Sequence, residues 1–297
     1  MAYRRLAFDG GIVEYLVAGP KGAADLLLLH PGSPSAAVEY PGLTRSAAAA
    51  GIRVASYSRG GYGTSTRRPG RSVADEVPIC AALADRLGYE RFFTIGWSGG
   101  GLVALACAAL LPDRVRACLA IASLAPPAEV GPAWDAFWTP KQLPEWKALA
   151  NGDVAALQPA FEEAVAVFGR MTPTRLAAAV GSPDPRAVAL GHASEVRPGL
   201  LRGMRRAVSR GYFGYLDDNL AQARDWGFRV ADIRVPVVVR HGALDRLVKI
   251  DHGRWLASAI PEARGVFLDD AGHGSIALPW EDTIADLVTA ARSFRDV

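Results

Sequence analysis

Three residues that lie far apart in the sequence have the side chains of a nucleophilic triad: Ser98, Asp245 and His273. A serine hydroxyl is a poor nucleophile unless a base removes its proton, and the usual base is a histidine that a carboxylate orients. The order serine, acid, histidine is one in which such triads occur. We therefore predict that Ser98 attacks an acyl carbon, that His273 is the general base, and that Asp245 orients the imidazole.

Ser98 lies in the run Gly-Trp-Ser-Gly-Gly at residues 96–100. A G-x-S-x-G pattern alone is weak, because a chain with 31 glycines matches it easily by chance, so its context decides. An apolar, strand-like run at 92–95 precedes it, and an alanine-rich, helix-like run at 102–111 follows it. A strand–turn–helix elbow of this kind strains the serine backbone and exposes its hydroxyl. Glycine two residues before and two after the serine keeps the crossing segments from clashing.

The negative charge of a tetrahedral intermediate needs hydrogen-bond donors. One donor should be the backbone N–H of Gly99, directly after the nucleophile. The other should come from the loop after an early strand, which here reads His-Pro-Gly-Ser-Pro at residues 30–34. The prolines of this loop have no N–H to donate. That leaves Gly32 or Ser33, and we assign the oxyanion hole to Ser33 and Gly99.

Four residues are predicted to contact the substrate: Trp97, His30, Trp134 and Trp138. Trp97 adjoins the nucleophile, and His30 either points into the pocket or holds the oxyanion loop by hydrogen bonds. The spacing of Trp134, Phe137 and Trp138 puts them on one helical face. That face suits an aromatic pocket for the acyl or leaving group, or, as the alternative, packing against the core.

Three further aspartates lie near the predicted acid and base: Asp251, Asp269 and Asp270. They lie beyond the ends of the apolar runs, so we interpret them as solvated charges in loops.

The elements that must position these residues alternate along the chain. Short apolar runs predict buried strands at 26–30, 53–58, 92–97, 117–122, 236–240 and 265–268, and helix-like stretches lie between many of them. This alternation predicts a mostly parallel sheet with helices on both faces. Residues 4–18, with a Gly-Gly break, predict an edge hairpin, and residues 281–294 predict a closing amphipathic helix.

The strand rhythm stops between residues 126 and 232, where segments 155–168, 172–180 and 196–211 look helical. We interpret 126–232 as a helical cap inserted into one α/β core formed by 1–125 and 233–297. An arginine cluster in the cap is read as a solvated helix face, with attraction of an anionic substrate as the alternative. Its members are Arg197, Arg202, Arg205, Arg206 and Arg210.

Composition excludes several classes of protein. The chain has 297 residues, of which 50% are hydrophobic, and a formal net charge of +3. These values exclude intrinsic disorder and argue against nucleic acid or an anionic membrane as a partner. Three scattered cysteines and five separated histidines indicate neither a disulfide scaffold nor a metal site. We expect no metal. We also expect a cytoplasmic location, because few cysteines suit a reducing compartment and the N-terminus does not read as a signal peptide.

One charge-free stretch, residues 92–112, is long enough for a membrane span. Its central glycines favour a strand, a tight turn and a buried helix instead.

Five segments in this order resemble the α/β-hydrolase superfamily over almost the whole chain. They are His-Pro-Gly-Ser-Pro at 30–34, Ser-Arg-Gly-Gly-Tyr-Gly at 58–63, Gly-Trp-Ser-Gly-Gly at 96–100, His-Gly-Ala-Leu-Asp at 241–245 and Gly-His at 272–273. The chain looks most like the serine-hydrolase branch with proline iminopeptidase-like and esterase-like proteins. The resemblance implies an α/β-hydrolase fold with eight strands, a helical cap after the sixth strand, and hydrolysis of a small-molecule ester, thioester or amide without a cofactor.

The sequence departs from the superfamily at three places. Gly99 stands where many relatives have a larger residue, the early loop reads His-Pro-Gly instead of His-Gly-Gly, and Ser58 replaces a common aspartate and so removes a local ion pair. A serine nucleophile excludes the chemistry of relatives that use an aspartate. The fold does not decide the reaction. The first alternative to a hydrolase is therefore a lyase, acyltransferase, perhydrolase or cyclase that uses the same site. The second alternative is a ligand-binding receptor. The oligomeric state stays open.

Overall fold

The computed structural model describes residues 2–179, 184–190 and 193–293, and an eight-stranded sheet forms its frame. The strands are β1 (Arg4–Phe8), β2 (Gly11–Ala18), β3 (Asp25–His30), β4 (Ile52–Tyr57), β5 (Phe92–Trp97), β6 (Val115–Ile121), β7 (Val237–Gly242) and β8 (Arg264–Leu268). Their order across the sheet is β1-β2-β4-β3-β5-β6-β7-β8. The predicted edge hairpin is β1 and β2, which pair antiparallel. From β4 to β8 every neighbouring pair is parallel, as the alternation of strands and helices predicts.

Helices cover both faces of this sheet. Those of the core are α1 (Pro41–Ala49), α2 (Val77–Leu87), α3 (Gly99–Leu110), α11 (Ile250–Ala259) and α12 (Trp280–Ser293). Strand β3 shows the two-sided burial, because Leu26 and Leu28 pack in one hydrophobic cluster and Leu27 and Leu29 in the other. Since successive side chains of a strand point to opposite faces, the near-continuous apolar run is what a doubly covered strand requires.

Between β6 and β7 the described residues form helices and turns. These helices are α4 (Pro127–Val130), α5 (Leu143–Asn151), α6 (Val154–Gly169), α7 (Pro173–Ala179), α8 (Pro185–Leu190), α9 (Ala193–Ala207) and α10 (Phe213–Gln222). Short 3₁₀ turns lie at Ala74–Glu76, Gly131–Phe137, Val230–Asp232 and Ser275–Ala277. We call residues 126–232 the cap segment; its boundaries stay a prediction. Helices α6, α7 and α9 overlap the three predicted cap helices, whereas α5, α8 and α10 had no counterpart in the sequence pattern.

The charge-free stretch at 92–112 is β5, a tight turn and the buried helix α3. Every residue of β5 is buried, and so are the first ten residues of α3. Helix α3 packs directly against β5 and β6. A charged side chain here would have to be buried without solvent, at a large cost in free energy. Across the described ranges, none of the helices has the length and apolar character to cross a bilayer.

Candidate active site

Ser98 occupies the sharp turn between β5 and α3. Its backbone has φ 55° and ψ −127°, a conformation that costs a non-glycine residue about 1–3 kcal/mol. The turn is tight enough to require glycine on both sides. A Cβ atom at Gly96 would lie 2.2 Å from the carbonyl oxygen of Gly100, and one at Gly100 would lie 2.0 Å from the carbonyl oxygen of His30. The predicted elbow and its spacing requirement therefore match the backbone geometry.

Asp245 and His273 meet beyond the ends of β7 and β8. His273 Nδ1 lies 2.7 Å from Asp245 Oδ2, and Asp245 Oδ1 accepts the N–H groups of Leu247 and Val248, each at 2.9 Å. Burial alone would raise the pKa of this carboxyl, but His273 and His241 hold it well below its usual range. An ionised carboxylate only accepts hydrogen bonds. The proton of a neutral His273 therefore sits on Nδ1, which leaves Nε2 free to accept one.

Trp97 connects the nucleophile turn to the histidine loop. It precedes Ser98 in the chain, and its indole Nε1 donates to the backbone carbonyl of His273 at 3.0 Å. The ring is 3% exposed and packs against Tyr40 and Trp280. These contacts hold the loop of the predicted base beside the turn of the predicted nucleophile. Contact of Trp97 with the substrate stays a prediction.

The loop after β3 lies against Ser98. A Cβ atom at Gly32 would lie 3.2 Å from Ser98 Cβ and 3.8 Å from Ser98 Oγ. The Ser33 hydroxyl lies close to the start of α3. A Cβ atom at Gly99 would be 2.6 Å from Ser33 Oγ. The first N–H groups of a helix have no partner within the helix. The segments predicted to supply oxyanion donors thus flank Ser98 from two sides.

His30 is fully buried at the end of β3. Its Nε2 lies 2.9 Å from the Thr94 hydroxyl, and its ring meets Tyr57 edge to face. Burial and the nearby Arg59 guanidinium lower the pKa of His30 to about 3, so the ring is neutral at pH 7. The His30 side chain thus bonds to β5, and its Nδ1 has no hydrogen-bond partner among the described residues; holding the oxyanion loop and binding the substrate both stay predictions for it.

Trp134 and Trp138 pack together at the junction of the cap segment and the core. Trp138 stacks on Trp146 with ring centroids 4.2 Å apart and meets His252 at 4.8 Å. Trp134 donates its indole N–H to the Ala125 carbonyl at 3.1 Å. Both rings belong to the main hydrophobic cluster, and these contacts are ones of packing. The structure does not bring the two tryptophans into this group of site residues, so substrate contact remains a prediction for them.

Three polar residues near the site, Arg59, Asp218 and Gln222, were not predicted as site residues from the sequence. The Ser33 hydroxyl donates to Asp218 Oδ2 at 2.5 Å and accepts from Arg59 Nη2 and Gln222 Nε2, each at 3.0 Å. Arg59 lies inside the Ser-Arg-Gly-Gly-Tyr-Gly segment, which was the available signal. Asp218 and Gln222 lie on α10, where no motif marks them.

The departure at Ser58 has a local explanation. The Ser58 hydroxyl donates to Glu14 Oε1 at 2.9 Å and accepts the N–H of Ala37 at 2.8 Å. Arg59 pairs instead with Asp218. The ion pair expected within this segment is thus replaced by one that reaches the cap segment.

Metal-ligating side chains come together once among the described residues, at His30, Cys80 and Cys107, whose ligand atoms lie within 4.8 Å of one another. All three are buried. A hydrogen bond with Cys80 and burial raise the pKa of the Cys107 thiol well above its usual value. Metals bind the thiolate, not the thiol, so this environment disfavours a metal ion, and we assign it none.

The family follows from comparison of the whole chain with known proteins. A sequence model of the alpha/beta hydrolase fold matches residues 25–278. The chain belongs to the alpha/beta hydrolase fold family. The match runs from β3 to the residues just after the predicted base, and so includes every segment of the site described above.

Individual proteins also resemble the chain. The pimeloyl-[acyl-carrier protein] methyl ester esterase of Aromatoleum aromaticum is 29% identical over 263 residues, which is 87% of this chain and 94% of that protein. An uncharacterized hydrolase of Bacillus subtilis, YcgS, is 34% identical over 111 residues, 37% of this chain and 38% of that protein. The crystal structure of a Pseudomonas aeruginosa hydrolase has a TM-score of 0.65 at 23% identity and covers 96% of this chain and 98% of its own; this likeness shows the fold.

Proposed function

We propose that this alpha/beta hydrolase is a serine esterase that hydrolyses a carboxylic ester of a small molecule. One observation carries the proposal: the strained Ser98 turn, with φ 55°, is joined through Trp97 to a histidine whose Nδ1 lies 2.7 Å from a buried carboxylate. A strained serine beside an oriented imidazole is the arrangement that activates a hydroxyl as nucleophile. A binding protein would not require all of these groups.

The proposed reaction passes through an acyl-enzyme. Ser98 Oγ forms a bond to the acyl carbon while its proton moves to Nε2 of His273, and Asp245 stabilises the imidazolium. The backbone N–H groups of Gly99 and Ser33 donate to the oxyanion. The C–O bond to the alcohol then breaks, and His273 returns the proton to the leaving oxygen. Water attacks the acyl-enzyme in the same way, so the acid leaves and Ser98 regains its proton. These protein groups complete the cycle without a cofactor.

An ester is proposed over an amide or a thioester because of the relative that matches along nearly its full length. That protein is named a methyl ester esterase. We further propose that residues 126–232 act as a cap, supported by α10, which places Asp218 and Gln222 against the oxyanion loop. A cytoplasmic location is proposed from the cysteines, because Cys80, Cys107 and Cys118 are all buried and unpaired.

A fluorophosphonate probe tests the nucleophile directly. The native protein should be labelled covalently at Ser98, and Ser98→Ala should not be labelled. Ser258→Ala is the matched control, because Ser258 is an exposed serine on α11 and its loss should leave labelling unchanged. Equal labelling of Ser98→Ala and native protein, or no labelling of the folded native protein, would contradict the proposal.

A substrate panel tests the reaction. We expect turnover of p-nitrophenyl esters of graded chain length and at least tenfold lower kcat/KM on matched aminoacyl anilides. In ¹⁸O-labelled water the released acid should carry one heavy oxygen. Product without ¹⁸O would instead indicate transfer to another acceptor or a lyase reaction, and preferential cleavage of the anilides would indicate an aminopeptidase.

A further inference from the structure

The guanidinium of Arg59 is buried directly behind the oxyanion loop. Its Nη1 donates to the carbonyl of Pro31 at 2.6 Å, and its Nη2 donates to the carbonyl of Gly32 at 3.0 Å. The residue is only 2% exposed. A planar guanidinium presents its N–H groups in a fixed fork, so these two bonds fix the orientation of two successive carbonyl groups.

Fixing these carbonyls also fixes the amides that matter for an oxyanion. In a trans peptide the C=O and the following N–H lie in one plane and point in opposite directions. The Pro31 carbonyl shares its plane with the Gly32 N–H, and the Gly32 carbonyl shares its plane with the Ser33 N–H. Holding both carbonyls toward Arg59 therefore turns both N–H groups away from it. Gly32 also packs against Ser98, since its Cβ position lies 3.2 Å from Ser98 Cβ.

The cap segment supplies the counter-charge that holds Arg59 in place. Asp218 of α10 accepts from Arg59 Nε at 3.0 Å and from Nη2 at 2.6 Å, and it also accepts from the Ser33 hydroxyl. Arg71 and Tyr62 donate to the same carboxylate. Burial alone would raise the pKa of Asp218, but Arg59 and Arg71 lower it to about 2. Removing one partner of such a buried pair leaves the other charge uncompensated.

We propose that Arg59, held by Asp218 of the cap segment, is a positioning residue that fixes the two peptide planes around Gly32 and so directs the Ser33 amide toward the oxyanion. Arg59 itself does not touch the substrate and acts through the loop. The inference rests on the proposed esterase function and adds that one face of the oxyanion hole is built by a contact between cap and core. The same contact explains why the Ser33 hydroxyl points to Asp218.

Arg59→Lys tests this role, because an ammonium keeps the charge but cannot hold two carbonyls and a carboxylate in one plane. Losing oriented oxyanion donors costs about 10²- to 10³-fold in kcat, so we expect that loss in kcat with a smaller change in KM. Inhibition by a boronic acid, which forms a tetrahedral adduct on the nucleophile, should weaken by a similar factor. Binding of the product carboxylic acid should change by less than about threefold.

Arg67→Lys is the matched control. Arg67 pairs with Asp217, the neighbour of Asp218, at 2.7 Å, but it does not bond to the oxyanion loop in the described contacts. Its substitution should leave kcat within about twofold of the native value. Where Arg59→Lys does not fold, Ser33→Ala decides, because it removes the bond from the loop to Asp218 and keeps the backbone N–H. We expect kcat and boronate affinity to fall together, by about tenfold, with product binding retained.

The positioning role of Arg59 and the proposed esterase function can be contradicted separately. If the native protein hydrolyses esters and is labelled at Ser98, but folded Arg59→Lys, or Ser33→Ala in its place, keeps kcat within about threefold, the positioning role is overturned. Equal losses of boronate and product binding would overturn it too, since they indicate general disruption of the site. If the native protein is not labelled at Ser98, the esterase function itself fails.

Discussion

Asp245 has two histidine neighbours. Its Oδ2 lies 2.7 Å from His273 Nδ1 and 3.4 Å from His241 Nε2. His241 Nε2 also lies 2.9 Å from the Val248 carbonyl, which can only accept, so this nitrogen carries a proton and donates toward both oxygens. With two backbone N–H groups on Oδ1, the carboxylate is surrounded by donors. These donors favour its charged form, and the pKa of Asp245 stays low in a buried place.

Asp245→Asn should therefore impair catalysis far more than folding. The amide oxygen would take the Oδ1 position, where two N–H groups require an acceptor, and the NH₂ group would then face His273 Nδ1. That nitrogen would have to accept, so the imidazole proton would move to Nε2 and block proton transfer from Ser98. We expect kcat to fall by about 10⁴-fold, measured on the ester panel.

Asp251→Asn controls for the loss of one negative charge near the site. Asp251 is exposed in the first turn of α11, and its substitution should leave kcat unchanged. A loss of less than about tenfold in folded Asp245→Asn would contradict the role assigned to this residue.

At the residue level, the sequence made the candidate triad predictable because each of its members lies at a recognisable place: a glycine-flanked turn, or the end of an apolar run. The competing aspartates Asp251, Asp269 and Asp270 are all exposed, as predicted, although Asp251 lies in the first turn of α11 and not in a loop. Trp134 and Trp138 show the limit of such reasoning. Their spacing defined one face of a helix, but spacing alone cannot say whether that face meets a ligand or the protein core.

The close approach of two backbone segments, more than side-chain packing, sets the distance between the Ser98 turn and the loop at residues 30–34. Gly32→Ala tests this at low structural cost. The new Cβ would lie 3.2 Å from Ser98 Cβ and 3.3 Å from the Trp97 carbonyl, so loop and elbow must move apart by a few tenths of an ångström. We expect kcat to fall by about tenfold to a hundredfold, because small misplacements in a reacting geometry have large effects on rate. Thermal unfolding should shift by only a few degrees.

Gly22→Ala is the control for Gly32→Ala, because a Cβ atom at Gly22 meets no atom within 4 Å. Its kcat should equal that of the native protein. Native kcat in Gly32→Ala would show that the loop does not need its close approach to Ser98.

Helix α10 shows why one element beside the candidate site could not be predicted. It buries Asp217, Asp218, Asn219 and Gln222 together with Leu216. Helix prediction relies on apolar residues recurring on the buried face, and here much of that face is polar. The two aspartates pair with Arg59 and Arg67, which are distant from α10 in the sequence. The predicted strands, in contrast, are marked by apolar runs, and their positions agree with the structure to within about two residues. The prediction that β8 is buried is wrong, because Phe267 and other residues of this strand are exposed.

The whole molecule has a near-neutral net charge, and several of its charged side chains are paired in the interior. Arg71 pairs with Glu76 at 2.9 Å and also with Asp218. Glu14 of β2, the strand beside the edge strand β1, accepts from Arg206 of α9. One member of the predicted arginine cluster is therefore engaged in docking the cap segment onto the core, and does not present a free charge to a ligand.

Buried neutral histidines should make the stability of the whole molecule depend on pH. Burial, with the nearby His241, lowers the pKa of His252 to about 3, and His30 behaves alike. In the unfolded chain both titrate near pH 6.5. Between about pH 6.5 and 3 the unfolded state thus binds protons that the folded state does not. The stabilisation is present above pH 6.5, and the free energy of unfolding falls as the pH drops, by about 1.4 kcal/mol per pH unit for each histidine.

His252→Asn isolates one of these contributions. The Nδ1 of His252 accepts the Ala125 N–H at 3.1 Å, and the asparagine Oδ1 can take over that bond without titrating. Urea unfolding between pH 5.5 and 4 should show a slope about 1.4 kcal/mol per pH unit smaller than in the native protein, whatever the absolute loss of stability. Leu256→Ala, a buried substitution on the same helix, should lower stability equally at every pH and keep the native slope. A native slope in His252→Asn would mean that His252 is not held neutral in the fold.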